Sequence, residues 1–183
     1  MPSQWHPHAY IEALHFAAAA HAGQTMPNGD LPYLVHVVTV AMEVVAALAH
    51  EDGLNGDLAV QCALLHDVLE DSDATFDQIA ALFGADVARG VQALSRDDAL
   101  PSRAAQIADS LSRIARQPRE VWIVKLADRI ANLQPPPRHW TGAKIAAYRD
   151  EAILIRDTLG AASRLLAERL TQRVEVYPGR PSS

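Results

Sequence analysis

Apolar positions recur at intervals of three and four along nearly the whole chain, and the places where that rhythm fails divide it into helices. The pattern predicts a first helix over about Tyr10–Ala22. Gly23 to Pro32 holds Gly23, Pro27, Asn28-Gly29 and Pro32, which break any regular element, so it reads as a loop. A second helix is expected over Tyr33–Ala49 and, after Gly53 and Gly56, a third over Asp57–Glu70. Thr75-Phe-Asp-Gln78 has the form of a capping box and should open a fourth. Gly84 ends or kinks it, and helix resumes toward Leu94. Further helices are expected over Ser102–Arg116, from Pro118 to about Leu133, and, beyond the Pro135-Pro136-Pro137 stop, over Thr141–Arg173. The last residues, from Pro178, should fray.

Val35–Val40 and Val121–Val124 are β-branched runs that could be strands in isolation, but their flanks keep the helical period. The expected fold is therefore all-α, one helical bundle in one domain over 1–183, with a core of about 10–173. Neither an internal repeat nor a linker interrupts it. Ala, Leu and Val dominate and aromatics are scarce, which agrees with helix. A chain of 183 residues can bury a sizeable core. Its single cysteine, Cys62, lies in an apolar run and cannot form an internal disulfide, which suits a reducing compartment. No basic-plus-apolar leader opens the chain, and no apolar run reaches the roughly 18–20 residues that span a bilayer. A cytoplasmic protein without membrane contact is expected.

Charge changes the picture. The first 88 residues hold twelve Asp and Glu and no Lys or Arg; all 16 basic residues follow, against ten acidic ones. A surface that tracks a nucleic-acid polymer is disfavoured, and the acidic half invites a cation.

The chemistry concentrates in Ala63-Leu-Leu-His66-Asp67-Val-Leu-Glu70-Asp71. Four ionisable side chains within six positions, at the end of an apolar helix, are costly to bury without a partner. His66 and Glu70 are four apart and should share one face, and Asp67 and Asp71 do the same. A cation held by His66 and Asp67 would then have Glu70 and Asp71 about one turn away, within reach of a water beside it. His36 and Asp128 are polar residues among apolar neighbours and complete a set of two imidazoles and two carboxylates, suited to a first-row divalent ion. Lys125, Asp128 and Asn132 fall on one helix face and could form a phosphate-binding edge. Each has a plainer reading: His36 a satisfied core histidine, Glu70-Asp71 a solvated helix end, Asp128 with Arg129 a surface ion pair. His6, His8, His50 and His139 read as surface residues, and His15 and His21 as packing or local hydrogen-bonding groups.

The order His36, His66-Asp67, Asp128 resembles the HD superfamily of metal-dependent phosphohydrolases. His21-Ala-Gly-Gln24, Pro32-Tyr-Leu-Val-His36, Phe83-Gly84 and Lys125-Leu-Ala-Asp-Arg-Ile-Ala-Asn-Leu133 are similar to the hydrolase domain of RelA/SpoT-type enzymes and to free-standing small alarmone hydrolases. The resemblance implies one Mn²⁺ held by His36, His66, Asp67 and Asp128, with Glu70 and Asp71 orienting and deprotonating the attacking water. It implies substrate contacts from Asn132, Lys144 and Tyr148. The implied reaction removes pyrophosphate from the 3′ position of (p)ppGpp or (p)ppApp. Where the family usually carries Arg-Lys after His-x-Gly-Gln, this chain has Met26-Pro27. The loop at Asp97-Asp98 is acidic where relatives often place a lysine, and Asn132 is followed by Leu-Gln-Pro. These departures spare the metal chemistry and put guanine recognition in question; Met26 can pack on any purine face but makes no hydrogen-bond choice. The rivals are an HD enzyme acting on nucleoside monophosphates or cyclic nucleotides, and a catalytically silent nucleotide sensor.

Overall fold

The computed structural model describes residues 3–27 and 29–179. Among them are ten α-helices and a single 3-10 turn: α1 Pro7–Ala20, α2 Leu34–Leu48, α3 Gly56–Leu65, α4 Val68–Asp71, α5 Phe76–Phe83, α6 Ala85–Leu94, α7 Arg103–Ile114, α8 Arg119–Asn132, α9 Gly142–Leu159, the turn Gly160–Ala162, and α10 Arg164–Val176. The described residues form no sheet; one isolated antiparallel bridge pairs Thr25 with Pro32. Both valine-rich runs are helical.

The starts of these helices are written locally. The Thr75 hydroxyl accepts from the Gln78 amide while the Gln78 side chain accepts from the Thr75 amide, completing the expected capping box. Asn55, Ser102, Thr141 and Ser163 cap α3, α7, α9 and α10 in the same one-sided way, each accepting from the amide three residues on. Pro7 opens α1, three residues earlier than the periodicity suggested.

Helix α8 is the axis of the bundle: α2, α3, α6, α9 and α10 all pack on it. Ile123, Val124, Leu126, Ala127 and Ile130 are wholly buried along it. Each such Leu or Ile contributes about 1.5–3 kcal/mol by leaving water. Among its buried polar residues, Glu120 is partnered: its carboxylate accepts from the Asn55 amide at 2.6 Å. Behind α3, α6 approaches so closely at Gly90 that a Cβ there would come within 2.7 Å of Cys62 Sγ. Burial raises the Cys62 thiol well above its ordinary pKa.

Two expected helices are broken. The segment expected as one helix to Glu70 stops at Leu65 and restarts at Val68, with His66-Asp67 between. The expected Thr141–Arg173 helix is interrupted at Gly160–Ser163. There the Arg119 side chain donates to the Ala162 carbonyl at 2.8 Å, and buried Ser163 caps the helix that follows. No helix of the described residues is long and apolar enough to cross a membrane.

Candidate metal centre and its cavity

The break between α3 and α4 builds the centre. At the end of α3 the His66 ring turns back so that Nδ1 lies 2.7 Å from the Ala63 carbonyl. A carbonyl only accepts, so Nδ1 carries the proton and Nε2 presents a lone pair. His36, in the first turn of α2, brings its own Nε2 to 3.3 Å from that of His66. Asp67 Oδ2 lies 2.9 Å from His66 Nε2 and 3.7 Å from His36 Nε2. Donor atoms of His36, His66 and Asp67 all fall within 4.8 Å of one another. From α8, Asp128 Oδ1 reaches 3.5 Å from His36 Nε2 and 3.9 Å from His66 Nε2. Both imidazoles are only 3% exposed, so water cannot satisfy them. Buried imidazole nitrogens converging with carboxylate oxygens fit a divalent cation of the first transition row.

The electrostatics tell the same story. Burial works against a charged His66, but the Asp67 and Asp128 carboxylates outweigh it and raise the imidazole to about 9. Burial would raise Asp67, yet His66 and the Tyr33 hydroxyl hold it below the usual carboxylate range. Asp128 is held low likewise, with Lys125 the largest influence against burial. Without an ion, the cluster therefore recruits a proton to separate its carboxylates.

Other side chains brace the ligands. The Tyr33 hydroxyl donates to Asp67 Oδ2 at 2.5 Å, and its ring lies between those of His21 and His36, with centroids at 5.0 and 5.3 Å. Asn132 Nδ2 donates to Asp128 Oδ1 at 2.5 Å and Lys125 Nζ to Oδ2 at 3.1 Å, so the expected Lys125–Asp128–Asn132 face exists and grips the carboxylate. His21 ends α1 as its C-cap, in contact with Gln24 at 2.8 Å, and the Gln24 amide donates to the Asp71 carbonyl at 2.5 Å. His6, His8, His15, His50 and His139 are exposed.

Glu70 and Asp71 differ. The Glu70 carboxylate accepts from the Arg96 amide at 2.9 Å and pairs with the Arg96 guanidinium at 3.0 Å. Among the described residues the Asp71 carboxylate accepts no hydrogen bond. Partial burial, then Asp67 and Glu70, raise its pKa. Because the chain breaks at Asp67, Glu70 and Asp71 take their direction from α4, whose first turn closes onto the Asp67 carbonyl, and not from α3.

These groups line one end of a cavity of about 700 Å³. Lys125, Asp128 and Asn132 continue its wall, and Lys144 and Tyr148 from α9 line it as well. Met26 is not brought there. With Pro27, Gly29 and Leu31 it lines a second, apolar cavity of about 330 Å³ against Gln134 and Pro135, just past the end of α8. Sequence reasoning missed Tyr33, Arg96, Arg103, Arg129, Trp140 and Glu151 in the main cavity. Tyr33 was findable, since it stands one helical turn before His36. Arg129, read as half of a surface pair with Asp128, is instead 3% exposed and turned toward Glu151 on α9.

A bundle whose central helices converge on His, His and Asp beside a nucleotide-sized cavity is a metal-site helical domain. Residues 13–159 match the HD domain family model, and the chain belongs to that family. It is 32% identical over 168 residues to the zebrafish (Danio rerio) guanosine-3′,5′-bis(diphosphate) 3′-pyrophosphohydrolase MESH1, covering 88% of this chain and 90% of that one. It is 32% identical over 169 residues to the human (Homo sapiens) MESH1, covering 87% and 89%. The solved structure of a metazoan ortholog of SpoT, described as hydrolysing ppGpp and acting in starvation responses, superposes with a TM-score of 0.79 at 26% identity, over 94% of this chain and 97% of that one.

Proposed function

We propose that this chain is a divalent-metal-dependent phosphohydrolase that removes pyrophosphate from the 3′ position of purine nucleotide alarmones, (p)ppGpp, (p)ppApp or both, as a single HD domain. The observation that carries the reading is the cluster of His36, His66 and Asp67, with Asp128 Oδ1 3.5 Å from His36 Nε2, beside Glu70 and Asp71 in a cavity of about 700 Å³. Relatives of nearly the same length bear the name of that activity. Mn²⁺ is the proposed ion, and the cytoplasm, where a lone buried cysteine is at home, the proposed setting.

His36, His66, Asp67 and Asp128 would hold the ion, which when bound supplies Lewis acidity to the water and charge neutralisation to the phosphate. Glu70, fixed by Arg96, orients the water. Asp71, with its raised pKa and free carboxylate, accepts the water's proton. Such proton transfer is typically worth ~10²–10⁴ in rate. The water oxygen bonds to the phosphorus attached at O3′, the P–O3′ bond breaks, and O3′ leaves with its electron pair and takes up a proton. Asn132 and Lys125 meet the ribose and the 3′-phosphate, and Lys144 and Tyr148 meet the substrate; Met26, which lines the neighbouring apolar cavity, offers the base no hydrogen bond.

The test follows from which bond breaks. Hydrolysis in ¹⁸O-labelled water should release intact pyrophosphate carrying one label, and His66→Ala should abolish both metal content and release. Orthophosphate as first product, or label in the nucleoside, refutes the proposal.

A further inference from the structure

Outside the cavity, one side chain of α7 gathers the loose end of α6. Helix α6 stops at Leu94, and Ser95 continues in an extended conformation, with φ −68° and ψ 138°. A helix that stops leaves its last carbonyls without partners inside the helix. The Arg113 guanidinium collects them. One terminal nitrogen donates to the Gln92 carbonyl at 2.8 Å and to the Ala93 carbonyl at 3.0 Å, and the other donates to the Ser95 carbonyl at 2.8 Å. Its Nε donates to Asp109, one turn back on α7, at 2.7 Å, which fixes the plane of the fork. A cation at this end also suits the helix dipole. Taken alone, this is a helix cap.

The Ser95 carbonyl makes it more. That carbonyl and the Arg96 amide belong to one peptide unit, which is planar and trans, so its C=O and N–H point opposite ways. The N–H half donates to Glu70 Oε2 at 2.9 Å. Arg113 thus reaches Glu70 through a single rigid plane: guanidinium, carbonyl, amide, carboxylate. Turning that plane would swing the N–H off Glu70, and the Arg113 contact opposes the turn. A cation on the carbonyl also polarises the peptide and strengthens its N–H as a donor. The Arg96 guanidinium is a looser hold on Glu70. It is shared with Asp98, 2.6 Å from Nε, and its side chain is 38% exposed.

We infer that Arg113 is a positioning residue for the hydrolysis: through the Ser95–Arg96 peptide it holds the Glu70 carboxylate in the direction that orients the attacking water. The inference rests on the phosphohydrolase reading above. Arg113 is not among the residues that line the main cavity, so its influence on the reaction runs through that peptide.

The experiment is a double-mutant cycle on the metal-loaded full chain, with the purine nucleoside 3′,5′-bis(diphosphate) as substrate. Arg113→Gln should lower kcat per bound metal by at least about fourfold while KM stays within about twofold, because Glu70 acts on the water and not on substrate binding. In a Glu70→Gln background the same substitution should cost less than about twofold, because the carboxylate it positions has gone. A cap that serves the fold alone would lower Tm and the metal-loaded fraction and act equally in both backgrounds. That outcome, or a smaller loss of kcat in the single variant, overturns the inference. If wild type releases no pyrophosphate, the proposed function falls instead. In that case, or if Arg113→Gln does not fold, amide hydrogen exchange on the Zn²⁺-loaded chain decides whether Arg113 governs the contact with Glu70. Arg113→Lys keeps the charge but not the fork. It should quicken exchange at the Arg96 amide by at least about threefold more than at the Val91 amide inside α6. A uniform change along α6, or a smaller difference, overturns the hold.

Discussion

The junction between α3 and α4 and the loop between α1 and α2 face the same region of the molecule and treat their polar groups in opposite ways. At the junction the ionisable groups are tied, all but Asp71: His66 to Ala63, Asp67 to Tyr33, Glu70 to Arg96. In the loop a short hairpin is closed by the Thr25–Pro32 bridge and by the Met26 amide donating to the Leu31 carbonyl at 2.8 Å. Beyond that closure Met26 and Pro27 present apolar surface to a shallow cavity. The lesson is a division of labour. Groups that must hold a charge in a fixed place are cross-braced from several elements, whereas the Met26-Pro27 segment is held mainly by its own backbone and can change without disturbing them.

The sharpest way to break that contrast is to remove the acceptor. Asp71→Asn should keep the ion and lose ~10²–10⁴ of kcat, because its carboxylate is not among the ligands. Glu70→Gln should lose less, since the Arg96 contacts survive in part. Metal content and single-turnover rates read both. Full activity in the double variant would remove the pair from the mechanism.

Acidity probes the junction more gently. In metal-free protein burial disfavours the His66 imidazolium, but Asp67 and Asp128 outweigh it and hold the proton up to about 9. The ion needs that nitrogen bare. Its affinity should therefore fall by about tenfold for each pH unit below about 9 and level off above it. Chelator competition at several pH values measures this; a flat profile across neutral pH would mean that His66 is not a ligand.

The smallest effect belongs to the loop. Guanine offers a carbonyl at position 6 and adenine an amino group, and an arginine can serve only the first. With Met26 in place, wild type should prefer neither base by more than about tenfold, about 1.4 kcal/mol. Met26→Arg should tilt kcat/KM toward guanosine while leaving metal content alone. A wild-type preference for guanosine above that bound would show that another donor reads the base.

What the sequence made legible was local. Helix starts declare themselves through a hydroxyl or amide accepting from an amide three residues on; Thr75 was legible as such a cap, and Ser102 and Thr141, which stood at expected helix starts, prove to be caps too. The convergence of His36, His66, Asp67 and Asp128 was legible because each is a polar residue in an apolar setting. The break at Gly160–Ser163 was not. Ala161 and Ala162 favour helix, and the group that satisfies the freed Ala162 carbonyl is Arg119, 43 residues away. The break at His66-Asp67 escaped for a related reason: nothing in Leu65-His66-Asp67-Val68 opposes a helix, and it is the His66 ring on the Ala63 carbonyl that marks the turn. Arg129 and Glu151 likewise belong to helices that meet only in the folded chain.

The close approach of α6 to α3 at Gly90 has a bearing on how the protein can be watched. Cys62 is the sole thiol of the chain, and it lies fully buried against Gly90 and the Val87 carbonyl, its pKa raised by burial. Alkylating reagents act on exposed thiolate, so they meet Cys62 only when α3 and α6 part. Helix α3 is also the element that delivers His66. The rate of alkylation is thus a clock for the opening of the ligand-bearing helix, set by the chain itself without an added label. A bound ion, by stabilising the closed form alone, slows that clock in proportion to its occupancy.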